Sequence, residues 1–171
     1  AADMAQYILG TGGLDMNIDT SIDIAQLEQQ LHQHFPPTRS LNIRIQQATA
    51  QETAVSADFA SNKNWHNTVF GGSISLVATT CAWLLVHVNF PGCKGSIVIR
   101  QSHIRFLAPA RGDLSAICRA ERQDDWQNCE EMLARFGRGN INVDCQLFSD
   151  NMLVAKFSGE FVAYREKAEP A

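Results

Sequence analysis

Residues 73–88 constrain the fold more than any other part of the chain. Their apolar side chains fall on every side of a helical wheel, so a helix here has no face suited to water. Such a helix must be enclosed by protein or lipid. A membrane span needs about 20 mostly apolar residues, whereas this segment is shorter and includes Ser75, Thr79, Thr80 and His87. The sequence therefore predicts a buried core helix.

Alternating apolar and polar residues occur on both sides of this helix. A period of two is typical of half-buried strands. Two such runs precede the helix and four follow it: residues 41–45, 55–59, 96–107, 114–120, 140–148 and 152–164. Ser149-Asp150-Asn151 separates the last two runs and predicts a hairpin turn. The strand-helix-strand alternation of a parallel sheet is absent, which favours an antiparallel sheet.

Two shorter helices are predicted beside the strands. One begins near Ile22 and is stopped by Pro36-Pro37, and the other spans residues 125–136 with Asp124 or Asp125 as its cap and Gly137 as its stop. Together these elements predict an α+β fold in which an antiparallel sheet wraps around one long central helix. Since one sheet can cover only about half of that helix, we expect a second copy of the chain to cover the rest.

Length and charge limit the class of protein further. The 171 residues suffice for one domain of ordinary size. With 14 basic and 18 acidic residues the net charge is −4, but the first 38 residues carry −5 and the remainder +1. A nearly neutral body excludes the broad basic surface of a nucleic-acid-binding protein. Residues 1–20 are expected to be a leader, a linker or an expression remnant, and residues 21–166 to form the domain.

The cysteines and the first residues of the sequence bear on the expected cellular compartment. Five cysteines, an odd number without a CxxC pair, predict reduced thiols and a cytoplasmic location, and no metal site is expected. No signal peptide is visible and no association with a membrane is expected.

Residues 62–73 carry the most chemical information, because they form the loop that enters the central helix. Gly71 and Gly72 permit close approach of a ligand, and the first turn of a helix presents unpaired N–H groups at the positive end of its dipole. That arrangement suits an anion or a polarised carbonyl oxygen. The alternative is that the two glycines only let the helix pass close to a sheet.

Asn64, six intervening residues and Gly71-Gly72, followed by a buried helix and a strand that ends in residues 106–113, resemble the hotdog-fold acyl-CoA thioesterases. The run 68–73 with Trp83 downstream resembles most closely the thioesterase family known as YiiD C-terminal, over roughly residues 22–165. The resemblance implies a hotdog fold, a homodimer or a tetramer, and hydrolysis of an acyl-CoA or acyl-carrier thioester. It implies no cofactor, because coenzyme A enters as part of the small-molecule substrate.

The resemblance also assigns catalytic positions. It implies that Asn64 lies in the active site and that the Gly71 N–H polarises the thioester carbonyl, so we expect both to bind the thioester oxygen. The carboxylate that relatives carry eight residues further along the helix is replaced here by Thr79, and no Asp or Glu occurs from residue 63 to residue 112. A histidine that often precedes the glycines in relatives is Phe70 here.

Three sources of a general base therefore stay open. Thr79, with Thr80, could orient a water or attack directly, although an unassisted threonine is a poor nucleophile. His66 has a suitable unperturbed pKa. A carboxylate such as Asp58 could reach in from a partner chain. Against these, threonine hydroxyls inside a helix often bond to backbone carbonyls, and His66 could be a solvated loop residue.

Several neighbours of these residues are expected to bind substrate. Ser102 is included because a polar residue in the middle of an apolar strand is unusual unless it faces a site or a partner. The full expected set is His66, Phe70, Gly72, Ser73, Thr80 and Ser102. Because the helix carboxylate is missing, the alternative function is a non-catalytic acyl-CoA-binding module.

Overall fold

A computed structural model describes residues 22–165, so the expected leader at residues 1–20 lies outside the described residues. Within this range, the strands are β1 (Ile43–Ala48), β2 (Glu52–Ala57), β3 (Ile97–Phe106), β4 (Leu114–Arg119), β5 (Arg138–Ser149) and β6 (Met152–Tyr164). They form one antiparallel sheet in the order β1-β2-β4-β5-β6-β3. The helices are α1 (Ile24–His34), α2 (Pro36–Ser40), α3 (Phe59–Asn62), α4 (Gly71–Asn89) and α5 (Gln123–Phe136), with a 3₁₀ turn at Pro91–Cys93. The predicted α+β fold is confirmed.

Helix α4 is the predicted core helix. It contacts all six strands, and ten of its 19 residues are buried. Among the described residues it is the one helix long and apolar enough to cross a membrane by length and composition, but the sheet encloses its most apolar sides. Burial of these side chains is the main favourable contribution to folding.

The predicted hairpin between the last two strands is confirmed. Asp150 and Asn151 form its two-residue turn, and both have positive φ angles, 49° and 61°. Positive φ at both central positions defines a type I′ turn, whose twist matches that of the flanking strands. This turn sets the register of β5 and β6, the two longest strands.

The region around Pro36 differs from the prediction. Helix α1 ends at His34, but Pro36 then begins the short helix α2 instead of only stopping the chain. Proline is well tolerated in the first helical turn because its missing N–H would have no partner there. Helices α1 and α2 pack beside α4, with the Phe35 ring against the Trp83 ring. This chain therefore covers part of the α4 surface that was assigned to a second copy.

Helix α5 confirms the predicted stop and corrects the predicted cap. Gly137 has φ 70° and its N–H donates to the Leu133 carbonyl at 3.1 Å. The helix begins at Gln123, so Asp124 and Asp125 lie inside its first turn rather than at its cap. Carboxylates in a first turn still favour the helix through its dipole.

Candidate active site at the start of the central helix

The start of α4 presents backbone donors. Phe70 occupies the N-cap position and supplies no side-chain hydrogen bond, so helix geometry leaves the N–H groups of Gly71, Gly72 and Ser73 without intrahelical partners. The preceding chain is fixed, because the Phe70 N–H donates to the Asn62 carbonyl at 2.8 Å. The helix start is thus a rigid set of donors at the positive end of the α4 dipole.

Aromatic rings lie next to both glycines. A Cβ atom on Gly71 would lie 3.4 Å from Cζ of Phe106, and one on Gly72 would overlap the Phe70 ring. Phe70 and Phe106 are 57% and 52% exposed, so both rings form the rim of the helix start. A cleft of about 440 Å³ lies beside them, lined by Thr68, Val69, Gly71, Ile74 and residues 106–110.

Asn64 organises the loop that enters α4. Its Oδ1 accepts hydrogen bonds from the backbone N–H groups of His66 at 2.9 Å and Thr68 at 3.2 Å. Its Nδ2 donates to the Thr68 hydroxyl at 3.0 Å. The carboxamide is therefore engaged within its own loop, which is the geometry of a positioning residue for the helix start.

The threonines of α4 adopt the backbone-bonded arrangement. The Thr79 hydroxyl donates to the Ser75 carbonyl and the Thr80 hydroxyl to the Leu76 carbonyl, each at 2.8 Å. The hydroxyl oxygens retain lone pairs that can accept a hydrogen bond from a water molecule. Thr79 can therefore orient a water, but it is not prepared to attack as a nucleophile.

Gly71 and Thr79 of one chain lie too far apart to act on the same atom. They are separated by eight residues of helix, which corresponds to about 12 Å along the axis. Both would need to be within about 3 Å of one thioester group. If both residues take part, they must come from different chains.

The other base candidates lie on the surface or already have partners. His66 is exposed in the loop before α4. Asp58 caps α3, since its Oδ2 accepts from the Ser61 N–H at 2.8 Å. Partial burial opposes ionisation of Asp58, but hydrogen bonds from Ser61 and Asn42 together outweigh it and lower the pKa of the carboxyl, which makes it a weaker base. Ser102 lies on edge strand β3, exposed and opposite Gly159.

A cluster of three cysteines was not foreseen. The sulfur atoms of Cys81, Cys118 and Cys145 lie within 4.8 Å of one another in the core. Their positions are far apart in sequence, and they meet only because β4 and β5 pair beneath α4. The Cys81 Sγ lies 3.4 Å from the carbonyls of Thr53 and Ala116, as a protonated donor would. A metal would bind these sulfurs as thiolates. The absence of a metal site stays a prediction.

One further cavity borders the site, and another lies apart from it. One of about 190 Å³ lies between α1, α2 and α4 and is lined in part by Thr79 and Thr80. The largest of the described cavities, about 510 Å³, lies on the outer face of the sheet among charged side chains such as Arg119, Asp144 and Lys156. None of the predicted site residues lines it.

A long helix enclosed by an antiparallel sheet in this strand order, with a glycine pair at the helix start, is the hotdog fold. The chain belongs to the family described as "Putative thioesterase (yiiD_Cterm)", whose model matches residues 24–165. The resemblance seen in the sequence is thereby confirmed.

Solved structures agree with this assignment. A thioesterase from Shewanella oneidensis, itself described as putative, is 30% identical with a TM-score of 0.73, over 82% of this chain and 96% of that chain. A protein of unknown function from Chlorobaculum tepidum is 21% identical with a TM-score of 0.76, over 83% and 94%. The PaaI protein of the E. coli phenylacetic acid degradation operon is 18% identical with a TM-score of 0.59, over 84% and 94%. The similarity to the C. tepidum and E. coli proteins shows a shared fold alone.

Proposed function

We propose that the protein is a thioester hydrolase that cleaves an acyl-CoA or acyl-carrier thioester at the start of α4. The observation that carries this proposal is the set of unpaired N–H groups at Gly71, Gly72 and Ser73 beside a cleft of about 440 Å³. Donors fixed in this way can stabilise the negative charge that develops on a carbonyl oxygen during acyl transfer. Membership of a thioesterase family supports the same reaction class.

In this proposal the thioester oxygen accepts a hydrogen bond from the Gly71 N–H. A water adds to the carbonyl carbon, the carbon–sulfur bond breaks, and one proton of the water passes to the departing sulfur. Asn64 acts as a positioning residue that holds the entry loop. Phe70, Gly72, Ser73 and the loop residue His66 border the substrate.

The attacking water is oriented by Thr79 of the partner subunit. The separation of about 12 Å along the helix axis requires two chains, and the bond from the Thr79 hydroxyl to the Ser75 carbonyl leaves its oxygen free to accept from water. No cofactor takes part. Because a hydroxyl is a far weaker base than a carboxylate, we expect a slow enzyme.

Exposed apolar side chains support a homodimer, or a tetramer of such dimers. Trp65 is 98% exposed beside the helix start, and Val98 and Phe106 on β3 are each 52% exposed. Strand β3 is an edge of the sheet, with unpaired backbone groups on one side. Pairing of β3 with its copy would satisfy these backbone groups and bring Ser102 to the boundary between the two chains. A monomer in light scattering at micromolar concentration would contradict this assembly.

The decisive experiment measures free thiol released from a panel of acyl-CoA substrates. We expect turnover by the wild type, a reduced rate in Asn64→Ala through the loosened loop, and a further reduction in Asn64→Ala/Thr79→Val. Thr79→Ser is the matched control, since it keeps the hydroxyl and should keep the rate. Full activity in the double variant would refute the assigned site.

The second candidate function is a non-catalytic acyl-CoA-binding module. It is favoured by one observation, the absence of any carboxylate from residue 63 to residue 112. Calorimetry with a non-hydrolysable acyl-CoA analogue distinguishes the binding module from the hydrolase: tight binding with no turnover of any thioester supports the module.

The five free, buried cysteines support the proposed cytoplasmic location.

A further inference from the structure

An apolar cavity, partly open to solvent, lies directly beside Thr79. It has a volume of about 190 Å³ and is formed where α1 and α2 pack over the outward face of α4. Its lining consists of Leu31, Phe35, Pro37, Thr38, Leu76, Thr79, Thr80 and Trp83. The residue proposed to orient the attacking water is therefore part of the cavity wall.

The polar groups in this lining are already engaged. The Thr38 hydroxyl donates to the Phe35 carbonyl at 2.7 Å, and the Thr79 and Thr80 hydroxyls donate to helix carbonyls. No hydroxyl hydrogen is left to donate to a ligand, and the other lining side chains are hydrocarbon or aromatic. A cavity of this kind favours an unfunctionalised hydrocarbon chain over a polar group.

Trp83 forms the far wall. Its indole Nε1 donates to the Ile97 carbonyl at 3.2 Å, and its ring lies between Phe35, edge to face at 4.8 Å, and His87, stacked at 4.8 Å. Three neighbours thus hold the ring in one orientation. A second cavity of about 430 Å³ lies beyond it, and the two cavities share Leu31, Phe35 and Trp83 in their linings.

We propose that this cavity binds the acyl chain of the thioester and that Trp83 limits the length of that chain. The inference rests on the proposed function, because it places the chain of the same substrate. A volume of 190 Å³ holds about six water-sized groups of about 30 Å³ each, and a methylene group is of similar size. The cavity therefore fits a short acyl chain, with about four to six carbons beyond the carbonyl.

The test compares kcat/KM for a series of straight-chain substrates from acetyl-CoA to palmitoyl-CoA. Wild type should prefer short chains. Trp83→Ala joins the two cavities, so the ratio of kcat/KM for long over short chains should rise by about tenfold or more. Leu76→Trp fills the cavity and should shift the preference towards acetyl-CoA.

Trp126→Ala is the matched control. Trp126 is a buried tryptophan of α5 that does not line this cavity, so the substitution should lower stability without changing the chain-length ratio. An unchanged ratio in folded Trp83→Ala, with hydrolysis intact, would overturn the acyl-chain assignment and leave the proposed function standing.

A direct binding measurement distinguishes failure of the acyl-chain assignment from failure of the proposed hydrolysis. The chain has three tryptophans, so Trp65→Phe/Trp126→Phe leaves Trp83 as the single indole reporter. A saturable change in its fluorescence with a non-hydrolysable hexanoyl-CoA analogue would support the cavity even if no thioester is hydrolysed. No change with this analogue would refute the cavity as the chain site.

Discussion

His87 stacks on Trp83 one helical turn away, with the ring centroids 4.8 Å apart and the ring planes at 11°. Its Nδ1 is buried and has no hydrogen-bond partner among the described residues. Burial lowers the pKa of His87 below its ordinary value of 6.5, because the charged ring would lose its hydration. The fold therefore stabilises the neutral imidazole.

This relationship predicts a pH-dependent stability. Below about pH 6.5 the unfolded chain binds a proton at His87, whereas the native state leaves this imidazole neutral until the pH reaches its lowered pKa. Stability should fall as the pH decreases from about 7 towards the lowered native pKa. His87→Phe keeps a stacked ring without titrating, so its free energy of unfolding should vary less with pH in urea titrations. An unchanged slope in His87→Phe would contradict the assignment.

The cysteines should react slowly in the native protein. All five are free and buried. Burial raises the pKa of Cys129 to about 12 and raises that of Cys118 well above its ordinary value. At Cys81 burial also opposes ionisation, but hydrogen bonds with Cys118, Cys145 and Thr53 outweigh it and lower the pKa, so its slow labelling rests on burial of the sulfur. Since the thiolate is the reactive form, an aromatic disulfide reagent should label the folded protein slowly and all five cysteines after unfolding in urea. Rapid labelling of two or more cysteines under native conditions would show that the core opens readily.

The core helix and the strands could be predicted because their signals are local. Every side of residues 73–88 is apolar, and the period of two in the flanking runs requires no knowledge of their partners. Helix α2 could not be predicted in the same way. Pro36 is compatible with ending one helix and with beginning another, and only packing beside α4 selects the second.

The site was harder to predict because side-chain partners depend on the folded loop. The sequence places Asn64 at a family position, but the closure of its carboxamide onto Thr68 follows from the loop conformation. The apolar cavity beside Thr79 needs α1 and α2 to fold back over α4, a contact between segments about 45 residues apart. The cysteine cluster likewise depends on strand pairing.

Gly139 is predicted to tolerate no side chain. A Cβ atom there would lie 2.5 Å from the backbone oxygen of Cys129, so α5 would have to move away from β5. We expect Gly139→Ala to cost about 1 to 3 kcal/mol and to lower the melting temperature. The matched control is Gly92→Ala, because nothing lies within 4 Å of that site; its stability should be unchanged or slightly higher. Equal melting temperatures for the two variants would refute the close packing of α5.

Glu28 is predicted to hold α1 against β1. Its Oε2 accepts from the Ile45 N–H at 2.8 Å and its Oε1 from Arg44 Nη1 at 2.7 Å. The Arg44 side chain is 56% exposed, so solvent screens the ion pair and the backbone hydrogen bond contributes more. Partial burial opposes ionisation, but these hydrogen bonds outweigh it and lower the pKa of Glu28 below 4.5.

In the unfolded chain the Glu28 carboxylate therefore takes up a proton at a higher pH than it does in the folded protein. The stability that Glu28 contributes is present above about pH 4.5 and is lost as the pH falls through the lowered native pKa. Glu28→Gln should cost about 1 kcal/mol at neutral pH and should lose less of its remaining stability on acidification, as measured by urea unfolding at neutral and acidic pH. Glu130→Gln, at an exposed position on α5, is the control. Because α1 also supplies Leu31 to the apolar cavity, a Glu28→Gln variant with wild-type stability at neutral pH would show that α1 is held by its apolar face alone.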